Sequence, residues 1–166
     1  MHSINKKKRS KKKVFLYGIL IIIILLQFIR PERNIAAPQI NNKNDMGSIL
    51  SISKEAKSIL EVSCYDCHSN NTNYPWYTNI QPIGLWMQMH VDDGKRAVNF
   101  SKFGSYSKQD QHHTLEEIIR EVENEKMPLP SYLQMHKDAS ISNLEKEQLI
   151  NWAKERRDEL AKNFNY

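Results

Sequence analysis

The sequence predicts an all-α protein: a helical domain after a single N-terminal transmembrane helix. Three observations carry that prediction. After residue 53, apolar residues recur at i, i+3 and i+4 in successive segments, which is the signature of helices with one buried face. No segment sustains the apolar–polar alternation of a strand. Near the start, 16 consecutive residues, Val14 to Ile29, carry no charge and consist mainly of isoleucine and leucine.

The chain begins with a basic tail, residues 1–13. Lys6, Lys7, Lys8, Arg9, Lys11, Lys12 and Lys13 lie there with no acidic residue among them. The whole chain has a formal charge of +5, so removing those seven leaves −2 on the remainder. The basic isoelectric point therefore belongs to the tail, and nucleic-acid binding by the domain is not implied.

Residues 14–29 form the apolar segment, roughly 24 Å long as a helix against a hydrocarbon core of about 30 Å. Snorkelling of Lys13 and Arg30 can cover the difference. The segment has no polar face, so it does not read as an amphipathic core helix. Positive charge on its N-terminal side places that end in the cytoplasm and exports the remainder of the chain. Ala36 and Ala37 offer a poor signal-peptidase context, because Asn34 or Ile35 occupies the −3 position or Pro38 comes directly after the cut. An uncleaved signal anchor is thus expected, with a cleaved signal peptide as the alternative. Residues 30–52, with Pro31, Pro38 and the string Asn41-Asn42-Lys43-Asn44-Asp45, read as a linker. Residues 53–166 remain, enough for one small core.

The domain's only two cysteines stand in Cys64-Tyr65-Asp66-Cys67-His68, a C-x-x-C-H run, which is the attachment signature of c-type haem. Two thiols one helical turn apart can add to the two vinyl groups of one porphyrin, and the next imidazole can bind the iron. Three rivals compete. A disulfide would close a short loop with little entropy to remove and would not need His68. A thioredoxin-like pair expects a strand–helix context, and structural zinc needs a second pair of ligands. Absence of further cysteines suits an oxidising compartment.

Around that run the sequence predicts helices. The first covers about Lys54 to Cys64, with Ser53 as N-cap, Glu55 in the first turn, and Ala56, Ile59 and Leu60 on the buried stripe. Ser69 to Gln81 reads as an aromatic-rich loop in which Trp76 covers a haem edge. A second helix spans Ile83 to about Val91, entered through Pro82 and ended by the turn Asp92-Asp93-Gly94; Met87, Met89 and His90 on it read as packing or solvent-facing. His112-His113 lies before a third helix opened by the capping box Thr114-Leu115-Glu116-Glu117. The run Met127-Pro128-Leu129-Pro130 stops that helix and extends the chain. A second capping box, Ser142-Asn143-Leu144-Glu145, opens the last helix, with Leu149, Ile150, Ala153 and Leu160 on its apolar face and Trp152 at its edge.

Met127 is the expected second axial ligand, since a neutral thioether favours ferrous iron and the prolines brace its position. His136 and Met135 are the alternative distal ligands.

Cys64 to Tyr77 reads C-Y-D-C-H-S-N-N-T-N-Y-P-W-Y, followed by Pro82-Ile83-Gly84, Asn99-Phe100-Ser101, the Met127 run, Tyr132, His136 and Trp152. From about Gln27 to Ala153 the chain resembles the bacterial haem-binding-domain family of small, membrane-anchored monohaem c-type proteins. That resemblance implies one covalently attached haem c per chain, installed outside the cytoplasmic membrane. It also implies a cytochrome c-like arrangement in which the first helix leads into the motif and the last one crosses it.

The function expected from these readings is one-electron transfer by a haem domain at the periplasmic face of the inner membrane, tethered by the N-terminal helix, with redox partner proteins. Cys64 and Cys67 fix the porphyrin and His68 is proximal. The alternative is a haem-based sensor or small peroxidase with a displaceable distal ligand. A third is a haem-bearing subunit that organises a membrane complex. No serine, cysteine or carboxylate constellation argues for hydrolysis.

Overall fold

The computed structural model of the chain describes residues 11–36 and 42–162. The first ten residues of the basic tail, the Ala37–Pro38 context and Asn41 lie outside the described residues. Among those described, the secondary structure is helical, with one isolated antiparallel bridge between Ile35 and Asn71. The chain forms two compact units, residues 1–32 with 74–89 and residues 33–73 with 90–166.

In the smaller unit, helix α1 (Lys11–Leu26) buries none of its residues. Regular α-winding stops at Leu26, and Gln27, Phe28 and Ile29 continue only through backbone bonds to the third residue back. No helix among the described residues is long and apolar enough to cross a membrane. That differs from the expected transmembrane helix over Val14–Ile29. Where the winding changes, the Gln27 amide donates both to the Ile23 carbonyl of its own helix at 2.9 Å and to the Gln81 carbonyl at 3.0 Å, while Gln81 N–H donates back to Gln27 Oε1 at 3.0 Å. A 3₁₀ turn, Trp76–Asn79, then leads into α5 (Ile83–Ala97).

The larger unit holds the hydrophobic core. A short helix, α2 (Met46–Ile49), buries Met46, and Leu50 follows it into the interior. Within the expected linker over 30–52, Met46 and Leu50 thus belong to the core. Helix α3 (Lys54–Ser63) begins at Ser53, whose hydroxyl accepts from Ala56 N–H at 3.1 Å, and buries Ala56, Ile59 and Leu60 as its spacing requires. One further turn, α4 (Tyr65–His68), carries the C-x-x-C-H motif.

Helix α5 runs on to Ala97, past the expected stop, so Asp92-Asp93-Gly94 is helix rather than turn. Gly94 is there for close packing: a Cβ at this position would lie 2.8 Å from the Cys67 carbonyl oxygen and 3.1 Å from its Cβ. Helix α6 (Lys108–Glu123) likewise starts earlier than Thr114. Its cap is Ser107, which accepts from Asp110 N–H at 3.1 Å, so Thr114 is a buried interior residue. His112 and His113 consequently lie on the helix, within reach of Glu116 and Glu117 one turn on.

After α6 the chain makes a left-handed turn at Glu125 (φ 57°), with Lys126 N–H donating to Glu121 C=O at 2.9 Å and Glu125 N–H to Val122 C=O at 3.2 Å. These two bonds form a Schellman motif. Pro130 then opens the single turn α7 (Pro130–Leu133) instead of an extended segment, because proline's fixed φ suits a first helical position. The last helix, α8 (Asn143–Lys162), follows the expected capping box: Glu145 Oε2 accepts from Ser142 N–H at 2.8 Å and Ser142 Oγ accepts from Glu145 N–H at 3.3 Å. It packs along α6 and against α3. Trp152 is core rather than edge, and its indole N–H donates to the Ser51 carbonyl at 2.9 Å.

Candidate functional site

The motif turn is held on one side by Thr72 together with Asn34. Thr72 Oγ1 donates to the Asp66 carbonyl at 2.6 Å and accepts from Asn34 Nδ2 at 2.8 Å. Asn34 Nδ2 also donates to the Ser69 carbonyl at 2.8 Å, and Lys95 donates to Asn34 Oδ1. A buried amide that satisfies several partners is costly to replace. Nothing in its proline-flanked stretch distinguished Asn34 from a linker residue.

The Asn99-Phe100-Ser101 stretch braces the other side. Asn99 Nδ2 donates to Asn70 Oδ1 at 2.7 Å, and Ser101 Oγ accepts from Asn70 N–H at 3.1 Å. Phe100 stacks on the His68 ring with centroids 5.5 Å apart. This clamp puts the Val98 carbonyl 3.2 Å from His68 Nδ1. A carbonyl can only accept, so the proton is on Nδ1 and Nε2 carries the lone pair. Burial also pushes the His68 pKa below its ordinary value, against a smaller upward pull from the backbone groups of Val98 and Gly94. Both effects leave a neutral imidazole with one nitrogen ready to bind a metal.

The two thiols are free of each other. Burial raises the Cys64 pKa to about 12, with the neighbouring Cys67 adding to it. Cys67 is raised to about 11 by burial and then by Asp66. Both sulfurs therefore keep their protons in the folded chain.

A cavity of about 340 Å³ opens beside this turn. Its walls include Cys67 and His68 from the motif, His90 and Gly94 from α5, and Met127 and Tyr132 from the α6–α7 connection. Of the candidate ligands, Met127 thus shares a cavity with His68. Met135 and His136 do not line it: Met135 is exposed, and His136 stacks on Tyr132 at 3.9 Å with its Nδ1 donating to the Tyr132 carbonyl at 3.2 Å. Trp76, expected to cover a haem edge, is 74 % exposed and is not among the residues lining the cavity's walls. His90, read from sequence as packing or solvent-facing, does stand in them. Its helix was expected to end just beyond it, and the continuation to Ala97 adds Asp93, Gly94 and Ala97 to the same walls.

The lining is largely apolar and includes donors for a haem iron, while Cys64 lies outside it, packed against the core. Gly94 and Ala97 present backbone and little else, Pro128 and Leu129 supply carbon, and His68 and Met127 supply a nitrogen and a sulfur donor. Among the described residues there is no cluster of three or more histidine, cysteine or carboxylate groups that could hold a bare metal ion. The zinc alternative therefore has no second ligand pair among them.

Comparison with known proteins bears on the same cofactor. A family model described as a haem-binding domain matches residues 21–155. No curated protein and no solved structure matches the chain. The match covers most of the sequence, including the motif, both helices flanking the cavity and the Met127 connection: the chain belongs to the haem-binding domain family.

Proposed function

We propose that this protein is a membrane-tethered monohaem c-type cytochrome that transfers single electrons at the outer face of the cytoplasmic membrane. The observation that carries the reading is the His68–Val98 hydrogen bond, which puts the ring proton on Nδ1 in a histidine that lines one cavity with Cys67 and Met127. Cys64 and Cys67 would hold the porphyrin through thioether links, each thiol giving its sulfur to one carbon of a vinyl group and its proton to the other, so that no oxidant would be needed. Iron supplies the one-electron exchange when haem is bound. The chain's own part is to hold: His68 is positioned by Val98 and Phe100, and Met127 by the Schellman turn and Pro128. His68 and Met127 would hold the iron, and side chains braced in this way would rearrange little between oxidation states.

Tethering is assigned to α1, none of whose residues is buried and whose apolar side chains from Val14 to Leu25 are exposed. The continued winding of residues 27–29 extends the charge-free run to 16 residues, and the lysines at its start can reach the opposite headgroups. A tether raises the local concentration of membrane redox partners.

His90 in the cavity wall favours the second reading, a sensor or small peroxidase, because it offers a base beside a displaceable ligand. Purified protein decides between them. A haem-stained band after denaturing electrophoresis, with slow carbon monoxide binding to the reduced form, supports the carrier. Rapid carbon monoxide binding or peroxide turnover supports the second reading, and a colourless protein with two titratable thiols removes both.

A further inference from the structure

The smaller unit carries an apolar surface that the haem site does not use. On α5 the residues Gly84, Met87, Gln88 and Val91 are buried, at the spacing of one helix face. The opposite stripe, Pro82, Ile83, Trp86 and Met89, is exposed yet apolar. At Asp92, Asp93 and Arg96 that same stripe turns charged. An exposed helix face in water is ordinarily polar along its whole length. Here the change from apolar to charged falls within one helix.

Trp76 and Ile80 extend the apolar surface from the preceding turn, with Trp76 74 % and Ile80 45 % exposed. That turn is pressed onto α5, since a Cβ on Gly84 would sit only 2.1 Å from the Thr78 carbonyl oxygen. The turn is also fastened to the end of α1. Besides the reciprocal Gln27–Gln81 pair, Gln81 Nε2 donates to the Ile29 carbonyl at 3.1 Å and Arg30 donates to the Asn79 carbonyl at 2.7 Å. Gln81 itself is buried, and its Oε1 accepts from Leu85 N–H at 2.9 Å, linking α1's end to α5 through one side chain.

We propose that residues 76–89 form a collar seated in the headgroup layer of the bilayer that α1 enters. The inference rests on the tethering role proposed for α1. If α1 lies in lipid up to Leu26, hydrogen bonds from Gln27, Ile29 and Arg30 hold the collar at the depth where the helix leaves the hydrocarbon. Tryptophan is enriched at that depth because an apolar ring and a polar N–H are both satisfied there. Pro82 to Met89 covers roughly 10 Å of helix axis, against roughly 5–8 Å of headgroup region in each leaflet, and the charged residues begin beyond it.

The test is photolabelling of the full-length, haem-loaded protein in phosphatidylcholine–phosphatidylglycerol vesicles. One lipid carries a diazirine at the glycerol level and another carries it at the acyl-chain end. The expected result is labelling of the 76–89 peptide by the glycerol-level probe, loss of that label with the chain-end probe, and labelling of α1 by both. Labelled α1 with an unlabelled 76–89 peptide overturns the collar and leaves the tether standing, as it would if a protein partner covered this face. An unlabelled α1 overturns the tether, and the collar with it. Replacing Trp76→Ser and Trp86→Ser together should lower glycerol-level labelling while the haem spectrum stays unchanged.

Discussion

The Tyr132 hydroxyl donates to Asp66 Oδ2 at 3.0 Å, joining the turn after Pro130 to the middle of the C-x-x-C-H motif 66 residues earlier. Both residues stand in the cavity wall. The bond closes the cavity's two sides on each other, and burial together with the Asp66 charge pushes the tyrosine pKa well up, so the phenol remains a donor. Tyr132→Phe removes the bond and keeps the ring. A loss of about 1–2 kcal/mol is expected in denaturant unfolding, with haem content unchanged and faster carbon monoxide binding to the reduced protein as the wall loosens.

Met127 shares the cavity with His68, whereas Met135 and His136 do not line it. Met127→Ala should therefore abolish the sulfur–iron charge-transfer band, lower the reduction potential and open the iron to carbon monoxide. Met135→Ala and His136→Ala should leave the spectrum and potential as they are. Were Met127→Ala spectrally silent, the assigned axial pair would be wrong.

Gly94 lies in the last turn of α5, where alanine would ordinarily gain up to about 1 kcal/mol of helix propensity. The sign reverses here, because the new Cβ meets Cys67 backbone rather than a side chain that can swing away. Gly94→Ala should destabilise by about 1–3 kcal/mol and reduce the yield of covalent haem, since it displaces the turn that presents Cys67 and His68. Thermal unfolding and a haem-stained gel measure the two effects separately.

The lowered pKa of His68 sets a pH dependence in the haem-free chain, where no iron replaces the proton on Nε2. In the unfolded chain the imidazole protonates near its ordinary value of about 6.5, while in the fold it stays neutral to lower pH. Below that value the unfolded state binds more protons, so stability falls as pH drops, with a slope of at most about 1.4 kcal/mol per pH unit from this group. His68→Gln should flatten the slope between about pH 6.5 and the lowered folded value. Denaturant midpoints measured across that window give the answer.

Glu125 adopts the left-handed conformation that closes α6, with its side chain paired to Lys146 at 3.1 Å on an exposed surface. Glu125→Gly should stabilise by about 1 kcal/mol through relief of the left-handed cost, less the small worth of an exposed ion pair. An unchanged or lowered thermal midpoint would show that the ion pair outweighs the strain.

Local chemistry alone determined several parts of this protein. The C-x-x-C-H run, the Ser53 cap, the Ser142–Glu145 capping box and the buried stripes of α3 and α8 each arise from residues a few positions apart, so the chain alone suffices to place them. The Met127-Pro128-Leu129-Pro130 run marked the end of α6 for the same reason. Other parts were decided only by tertiary structure. Asp92-Asp93-Gly94 has the composition of a turn, yet it stays helical because Gly94 admits the Cys67 backbone. Thr114-Leu115-Glu116-Glu117 has the pattern of a helix start, but Ser107 caps the same helix two turns earlier. The tautomer of His68 depends on a carbonyl 30 residues away, and Asn34 became structural by reaching Ser69 and Thr72. Hydrogen bonds and close contacts between distant segments form only when the chain packs, and no local period or propensity encodes which partners will meet.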